Sequence, residues 1–175
     1  MNNPNTRKLA FSAIISALSL IFLYLSSIVP TGQIALFCLS TALFCVVVLE
    51  CGSGYALLSA VVTGMLGFIF LPNKLLLLPY ALFFGYYPVL KLYIERLGHL
   101  FLEWMIKLSA FIVTMLGTFL LMRLMMELSL EHSMPVYLIA LIGIAVFAVY
   151  DIALSLFIGI YREKIAKYLK FLRKD

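Results

Sequence analysis

Long apolar runs dominate the chain, and each is about as long as one membrane crossing. In order they are residues 9–29, 33–49, 55–71, a run that begins at residue 75, and then 104–126 and 136–161. Proline, glycine or charged residues separate them. A helix needs about 20 predominantly apolar residues to cross a hydrocarbon core roughly 30 Å thick. The pattern therefore predicts an all-α integral membrane bundle of six transmembrane helices.

The residues that interrupt, precede or follow the later runs predict a bend, a connector and a C-terminal extension. Pro79 and Pro88 interrupt the fourth run and should bend it. Residues 98–103 are polar enough for a connector to the fifth helix. After the sixth run, the basic segment 162–175 keeps the helical register and is typical of an amphipathic helix at a membrane surface. We expect one transmembrane domain over residues 1–175, with 162–175 as its C-terminal extension.

Composition supports lipid as the solvent of this domain. Hydrophobic residues make up 65% of the chain, charged residues only 12%, and the mean hydropathy is +1.12. The net charge of +5 comes from helix ends and the tail, without the basic surface and interleaved aromatics of a nucleic-acid-binding protein. The three cysteines show no metal-binding spacing. We predict no nucleic acid partner, no metal and no cofactor.

Basic residues in the short loops predict the orientation of the chain, because they favour the cytoplasmic side. The N-terminus, the connector between helices four and five and the tail hold most of them, whereas the opposite loops carry only Lys74 and Arg123. The first group includes Arg7, Lys8, Lys91, Arg96 and Lys107. We therefore expect both termini to be cytoplasmic, which requires an even number of crossings.

Asp151 is a carboxylate inside the sixth apolar run, where an unpaired charge is costly. At about 1.5 Å per residue, Asp151 lies some 22 Å below the outer end of its helix, and Lys91 about 24 Å below the outer end of helix four. The matching depths predict a structural ion pair between Lys91 and Asp151. A proton or ion relay is the alternative.

Polar and aromatic residues gather near the predicted outer ends of the helices, and they suggest a substrate pocket. The set comprises Tyr24, Gln33, Asn73, Lys74, Tyr80, Arg123, Glu127 and Tyr137. Tyrosines among them could stack a flat ring while the polar groups hold its edge. The alternative is an exposed Arg123–Glu127 ion pair together with an aromatic belt at the membrane interface.

Helix one carries small residues at four-residue spacing. Ala13 and Ala17 form one row, with Ser12, Ser16 and Ser19 beside it. Such a flat strip allows another helix to approach closely, which is a main source of helix association in lipid. The strip fits internal packing or contact with a partner protein.

Catalytic signatures are absent from the sequence. It has no HExxH, GxSxG or Walker motif, and its two histidines, His99 and His132, are near predicted loops. We predict no catalytic residues and no enzyme activity.

With six helices and the stretch Ala13-Ile14-Ile15-Ser16-Ala17 in view, the chain resembles a substrate-binding S component of an energy-coupling factor (ECF) transporter. The family has an AxxxA motif on helix one, matched here by Ala13 and Ala17, that docks on a transmembrane coupling subunit. The resemblance implies a multi-pass protein of a prokaryotic plasma membrane. It would capture a small vitamin-like molecule or other micronutrient from outside, in the outer half beneath the loops after helices one, three and five.

In that family, separate ATPases power release of the substrate when the S component topples, and the S component itself hydrolyses nothing. Two other classes stay open on the residues alone. One is a stand-alone small transporter or channel, for which charges along a path are expected. The other is a non-catalytic membrane scaffold without a ligand.

Overall fold

The computed structural model describes residues 4–29, 32–126 and 136–165, and these ranges contain helices and turns but no strand. Six helices are long and apolar enough to span a membrane. They are α1 (Pro4–Ile28), α2 (Gln33–Glu50), α3 (Ser53–Phe70), α4 (Lys74–Ile94), α5 (Leu100–Met126) and α6 (Val136–Ile160). The predicted all-α membrane bundle is confirmed, and the cytoplasmic location of the termini stays a prediction.

The connector between α4 and α5 is shorter than predicted. Helix α5 begins at Leu100, so residues 98–103 are not all connector. Glu103 lies in the first turn, where the partial positive charge of a helix N-terminus favours a carboxylate. A polar residue at this position therefore does not mark a loop.

Helix α6 continues into a wide turn over Tyr161–Ile165, in which the backbone is π-helical. The basic extension predicted over 162–175 thus begins as helix. Its remaining residues, 166–175, lie outside the described part of the chain.

Helix α4 is irregular in the region where its prolines predicted a bend. A 3₁₀ turn over Lys74–Leu76 leads into a wide turn over Tyr80–Phe84, and a regular helix resumes at Tyr87. Pro88 has no N–H to donate to the carbonyl one turn earlier, so the regular ladder fails ahead of it. Within the wide turn, the amide of Gly85 donates to the carbonyl of Tyr80, five residues earlier, at 2.8 Å.

Helix α2 is central to the bundle and packs against α1, α3, α4 and α6, whereas α5 lies at the edge against α4. Buried hydroxyl groups join α1 to its neighbours. Ser19 pairs with Ser40 of α2, and Thr63 of α3 donates to the Ser16 carbonyl at 3.4 Å. Small side chains permit this close approach, and their hydrogen bonds satisfy polar atoms that lipid cannot.

Gly85 is a close contact point between α4 and α3. A Cβ atom there would lie 3.3 Å from the Tyr80 carbonyl oxygen and 3.6 Å from Ala60 Cβ. We expect Gly85→Val to lower the free energy of unfolding in detergent by about 1–3 kcal/mol, because the added side chain crowds the Tyr80 carbonyl within α4 and overfills the space toward Ala60 of α3. Gly117→Val is the control, since a Cβ at Gly117 meets nothing within 4 Å. Equal stability of the two variants would contradict this packing.

Candidate functional site

Four charged side chains form an ion cluster that joins α4, α5 and α6. Lys91 Nζ lies 2.5 Å from Asp151 Oδ1 and 2.8 Å from Glu95 Oε1. Lys107 Nζ lies 3.0 Å from Asp151 Oδ2 and 3.0 Å from Glu95 Oε1. The predicted contact between Lys91 and Asp151 is therefore present, within a larger network.

Sequence reasoning did not assign Lys107 and Glu95 to this network. The orientation prediction counts Lys107 among the basic residues near the connector, and it assigns no role to Glu95. The earlier start of α5 places Lys107 two turns inside the helix, and its side chain is buried. A signal was available for Glu95, because it follows Lys91 by four residues and so shares its helix face. Because Lys91 and Lys107 belong to a buried network, they are weaker evidence for the orientation of the chain than basic residues in loops.

The cluster is balanced in charge, and its buried Asp151 carboxylate is fully paired, whereas the Glu95 side chain is 30% exposed. Burial raises the pKa of the Glu95 carboxyl, but the hydrogen bonds and charges of Lys91 and Lys107 outweigh it and leave that pKa below its ordinary value. Tyr87 also donates to Asp151 Oδ1, at 2.6 Å. Two cations thus face two carboxylates, and both Asp151 carboxylate oxygens already accept hydrogen bonds. The geometry is that of a structural ion-pair network that holds α4, α5 and α6 together.

An apolar cavity of about 360 Å³ is lined in part by Phe83 and Phe147, two rings that contact Tyr87. Helices α2, α4, α5 and α6 all contribute to its wall. The lining is largely aromatic and aliphatic: Ile34, Cys38, Phe83, Phe84, Phe111, Met115, Ile142, Gly143, Val146, Phe147 and Tyr150. We call it the aromatic cavity. The Tyr87 ring lies 4.6 Å from the Phe83 ring and 5.7 Å from the Phe147 ring, centroid to centroid. Because Tyr87 also donates to Asp151, it connects this wall of the cavity to the ion cluster.

Two further spaces adjoin the aromatic cavity. A groove of about 520 Å³ runs between α2 and α6, and it shares Ile34, Cys38, Val146 and Tyr150 with the cavity. We call it the α2–α6 groove. A smaller space of about 280 Å³ lies between α4 and α5, and it shares Phe83, Phe84, Phe111 and Met115 with the aromatic cavity. The bundle is therefore incompletely packed around one aromatic centre.

Tyr150 lies between the aromatic cavity and the α2–α6 groove and lines both. Its side chain is nearly buried, at 6% exposure, and its hydroxyl lies beside Thr41. That hydroxyl makes no hydrogen bond of normal geometry to the described residues, and its interaction with the Thr41 hydroxyl is a looser one. The Thr41 hydroxyl itself donates to the Phe37 carbonyl at 2.8 Å. A buried hydroxyl without a partner is uncommon and costly, so it marks a place where a ligand could act.

The residues predicted for an outer polar pocket have separate local contacts. Asn73 accepts from the Leu75 amide at 3.1 Å, and Lys74 lies 4.6 Å above the Phe68 ring. Tyr80 is buried and donates to the Ala60 carbonyl at 3.3 Å, whereas Tyr24 is exposed on α1.

Gln33 is partly buried at the start of α2. None of these five residues lines the three spaces described above. Glu127 and the side chains of Arg123 and Tyr137 lie outside the described part of the chain. A polar pocket built from all eight residues stays a prediction.

The two rows of small residues on α1 face different surroundings. Ser12, Ser16 and Ser19 are buried against the bundle, whereas Ala13 and Ala17 are exposed on the outer surface. Within the described chain, internal packing therefore accounts for the serine row and leaves the alanine row uncovered.

Comparison with protein-family models, with curated proteins and with solved structures finds no match to this chain.

Proposed function

We propose that this chain is a membrane-embedded substrate-binding subunit of the ECF S-component kind. In this proposal it captures a small molecule in the aromatic cavity and delivers it through an uptake complex with a coupling subunit and separate ATPases. The observation that carries the proposal is the aromatic cavity itself, which residues of four helices line. Concave apolar sites of this size, with few polar groups, are the usual form of small-molecule sites.

The surroundings of the cavity suit repeated binding and release. Its wall rests on Tyr87, which the ion cluster holds through Asp151. Helix α5 forms another part of the wall but lies at the edge of the bundle. The ion cluster thus holds one side of the wall, and a helix at the edge of the bundle forms another. Movement of that helix can admit a molecule without disrupting the core.

The alanine row on α1 supports the second half of the proposal, which is contact with a coupling subunit. Ala13 and Ala17 are exposed one turn apart, so another helix can pack closely against them. In this proposal the energy for transport comes from separate ATPase subunits, which agrees with the absence of a Walker motif from the sequence.

Copurification tests this function. We expect the double variant Ala13→Trp/Ala17→Trp to reduce capture of the coupling subunit and its ATPases by about tenfold or more, because bulky rings separate the helices. Ligand retained through purification, measured by mass spectrometry, should be unchanged. Val61→Trp is the control, since Val61 is exposed on α3. If the tagged chain captures neither a small molecule nor a coupling module, the proposal fails.

A further inference from the structure

The α2–α6 groove opens toward the bilayer. Its rim includes Ile34, Leu39 and Val149, which are 55%, 49% and 68% exposed. All three are apolar residues within membrane-spanning helices. Around such residues the solvent is hydrocarbon, so a molecule that reaches this opening comes from the lipid phase.

The groove leads directly to the aromatic cavity. The two spaces have Ile34, Cys38, Val146 and Tyr150 in common, so the Tyr150 ring stands at the junction. Beyond it, the rings of Phe83, Phe111 and Phe147 line the cavity. Aromatic walls pack well against a flat ring.

The charges nearby exclude an ionic ligand. The four residues of the ion cluster pair with one another, and none of them lines the groove or the cavity. A charged molecule in this space would lose its hydration without gaining a counter-ion, which is strongly unfavourable. The site therefore selects a neutral molecule.

Resting on the proposed function, we propose that the substrate is a neutral, ring-containing, lipid-soluble molecule with one hydroxyl or carbonyl group. It enters sideways from the bilayer between α2 and α6, and the Tyr150 hydroxyl binds its polar group. The buried hydroxyl of Tyr150 makes no hydrogen bond of normal geometry to the described residues, and the nearby Thr41 hydroxyl donates to the Phe37 carbonyl instead. A ligand hydroxyl or carbonyl supplies that partner, and satisfying a buried polar group favours binding.

Binding of matched probes to the full chain in phospholipid nanodiscs tests this inference, with empty nanodiscs to correct for partitioning. We expect saturable binding of 2-naphthol at least roughly tenfold tighter than that of anionic 2-naphthoate, because the site offers no free cation. Ala153→Trp, which fills the groove, should abolish binding. Leu156→Trp is the matched control on α6, since Leu156 is exposed and does not line the groove.

The Tyr150→Phe variant separates hydrogen bonding from packing. It should weaken 2-naphthol binding by about threefold to tenfold, the effect of one hydrogen bond, and leave naphthalene binding unchanged. Preference for naphthoate, binding that survives Ala153→Trp, or an equal effect of Tyr150→Phe on both neutral probes would overturn the inference.

The outcome also distinguishes this inference from the proposed function. If a charged molecule copurifies with the chain and the Ala13/Ala17 variant loses the coupling module, the function stands and the ligand class is wrong. If the neutral probes do not bind and only phospholipid copurifies, both are wrong.

Discussion

Replacing Asp151 with alanine is expected to lower the free energy of unfolding by about 3–5 kcal/mol. The change leaves Lys91, which is fully buried, and Lys107, which is nearly so, to share the single carboxylate of Glu95. It also removes the acceptor of the Tyr87 hydroxyl. Buried charges that lose a partner are costly, because neither lipid nor water replaces the lost interaction.

Unfolding by denaturant in mixed micelles measures this loss. Ser155→Ala is the control, because Ser155 lies one turn from Asp151 and its hydroxyl only donates to the Asp151 carbonyl, at 3.1 Å, and to Glu95, at 3.5 Å. The double variant Lys91→Met/Asp151→Leu should recover most of the stability, since it removes one cation with one anion and leaves Lys107 paired with Glu95 at 3.0 Å. If Asp151→Ala lowers the free energy of unfolding no more than Ser155→Ala does, the ion cluster does not hold α4, α5 and α6 together.

The second large effect is expected at the centre of the aromatic cluster, where Phe83→Ala should cost about 3 kcal/mol of stability. The Phe83 ring lies 4.6–6.2 Å from five neighbouring rings, centroid to centroid. Those neighbours are Phe84, Tyr87, Phe111, Phe147 and Tyr150. Truncation removes dispersion contacts that a buried void cannot replace.

The same change joins two spaces, because Phe83 lines both the aromatic cavity and the space between α4 and α5. Unfolding in micelles gives the stability, and 2-naphthol titration in nanodiscs should show weaker binding. Phe101→Ala is the control, since Phe101 is 81% exposed on α5. Equal stability of the two variants would mean that Phe83 does not hold the cluster together.

Part of the site was also predictable from the sequence. A carboxylate in a membrane helix needs a partner, and depth counted from the helix ends identified Lys91 for Asp151. Lys107 and Glu95 were not identified, because depth along a helix does not indicate which helices are neighbours. Lys107 reaches Asp151 because α5 begins at Leu100 and packs against α4, which places its side chain 3.0 Å from Asp151 Oδ2.

What the sequence determined by itself is the class of fold. Runs of about 20 apolar residues with few charges must be helices that span a bilayer, since backbone polar groups in lipid are satisfied only within the helix. The irregularity of α4 was also predictable, because the missing N–H of Pro88 is a local property of the chain.

Only the tertiary structure decided which apolar faces meet each other and which meet lipid. The serine row of α1 is buried and its alanine row exposed, and the predicted outer residues Tyr24 and Tyr80 lie in different surroundings. The cavity likewise arises from helices α2, α4, α5 and α6, whose contributions are far apart in sequence. The physical reason is that lipid and protein interior are similarly apolar, so hydropathy does not distinguish the two faces of a membrane helix.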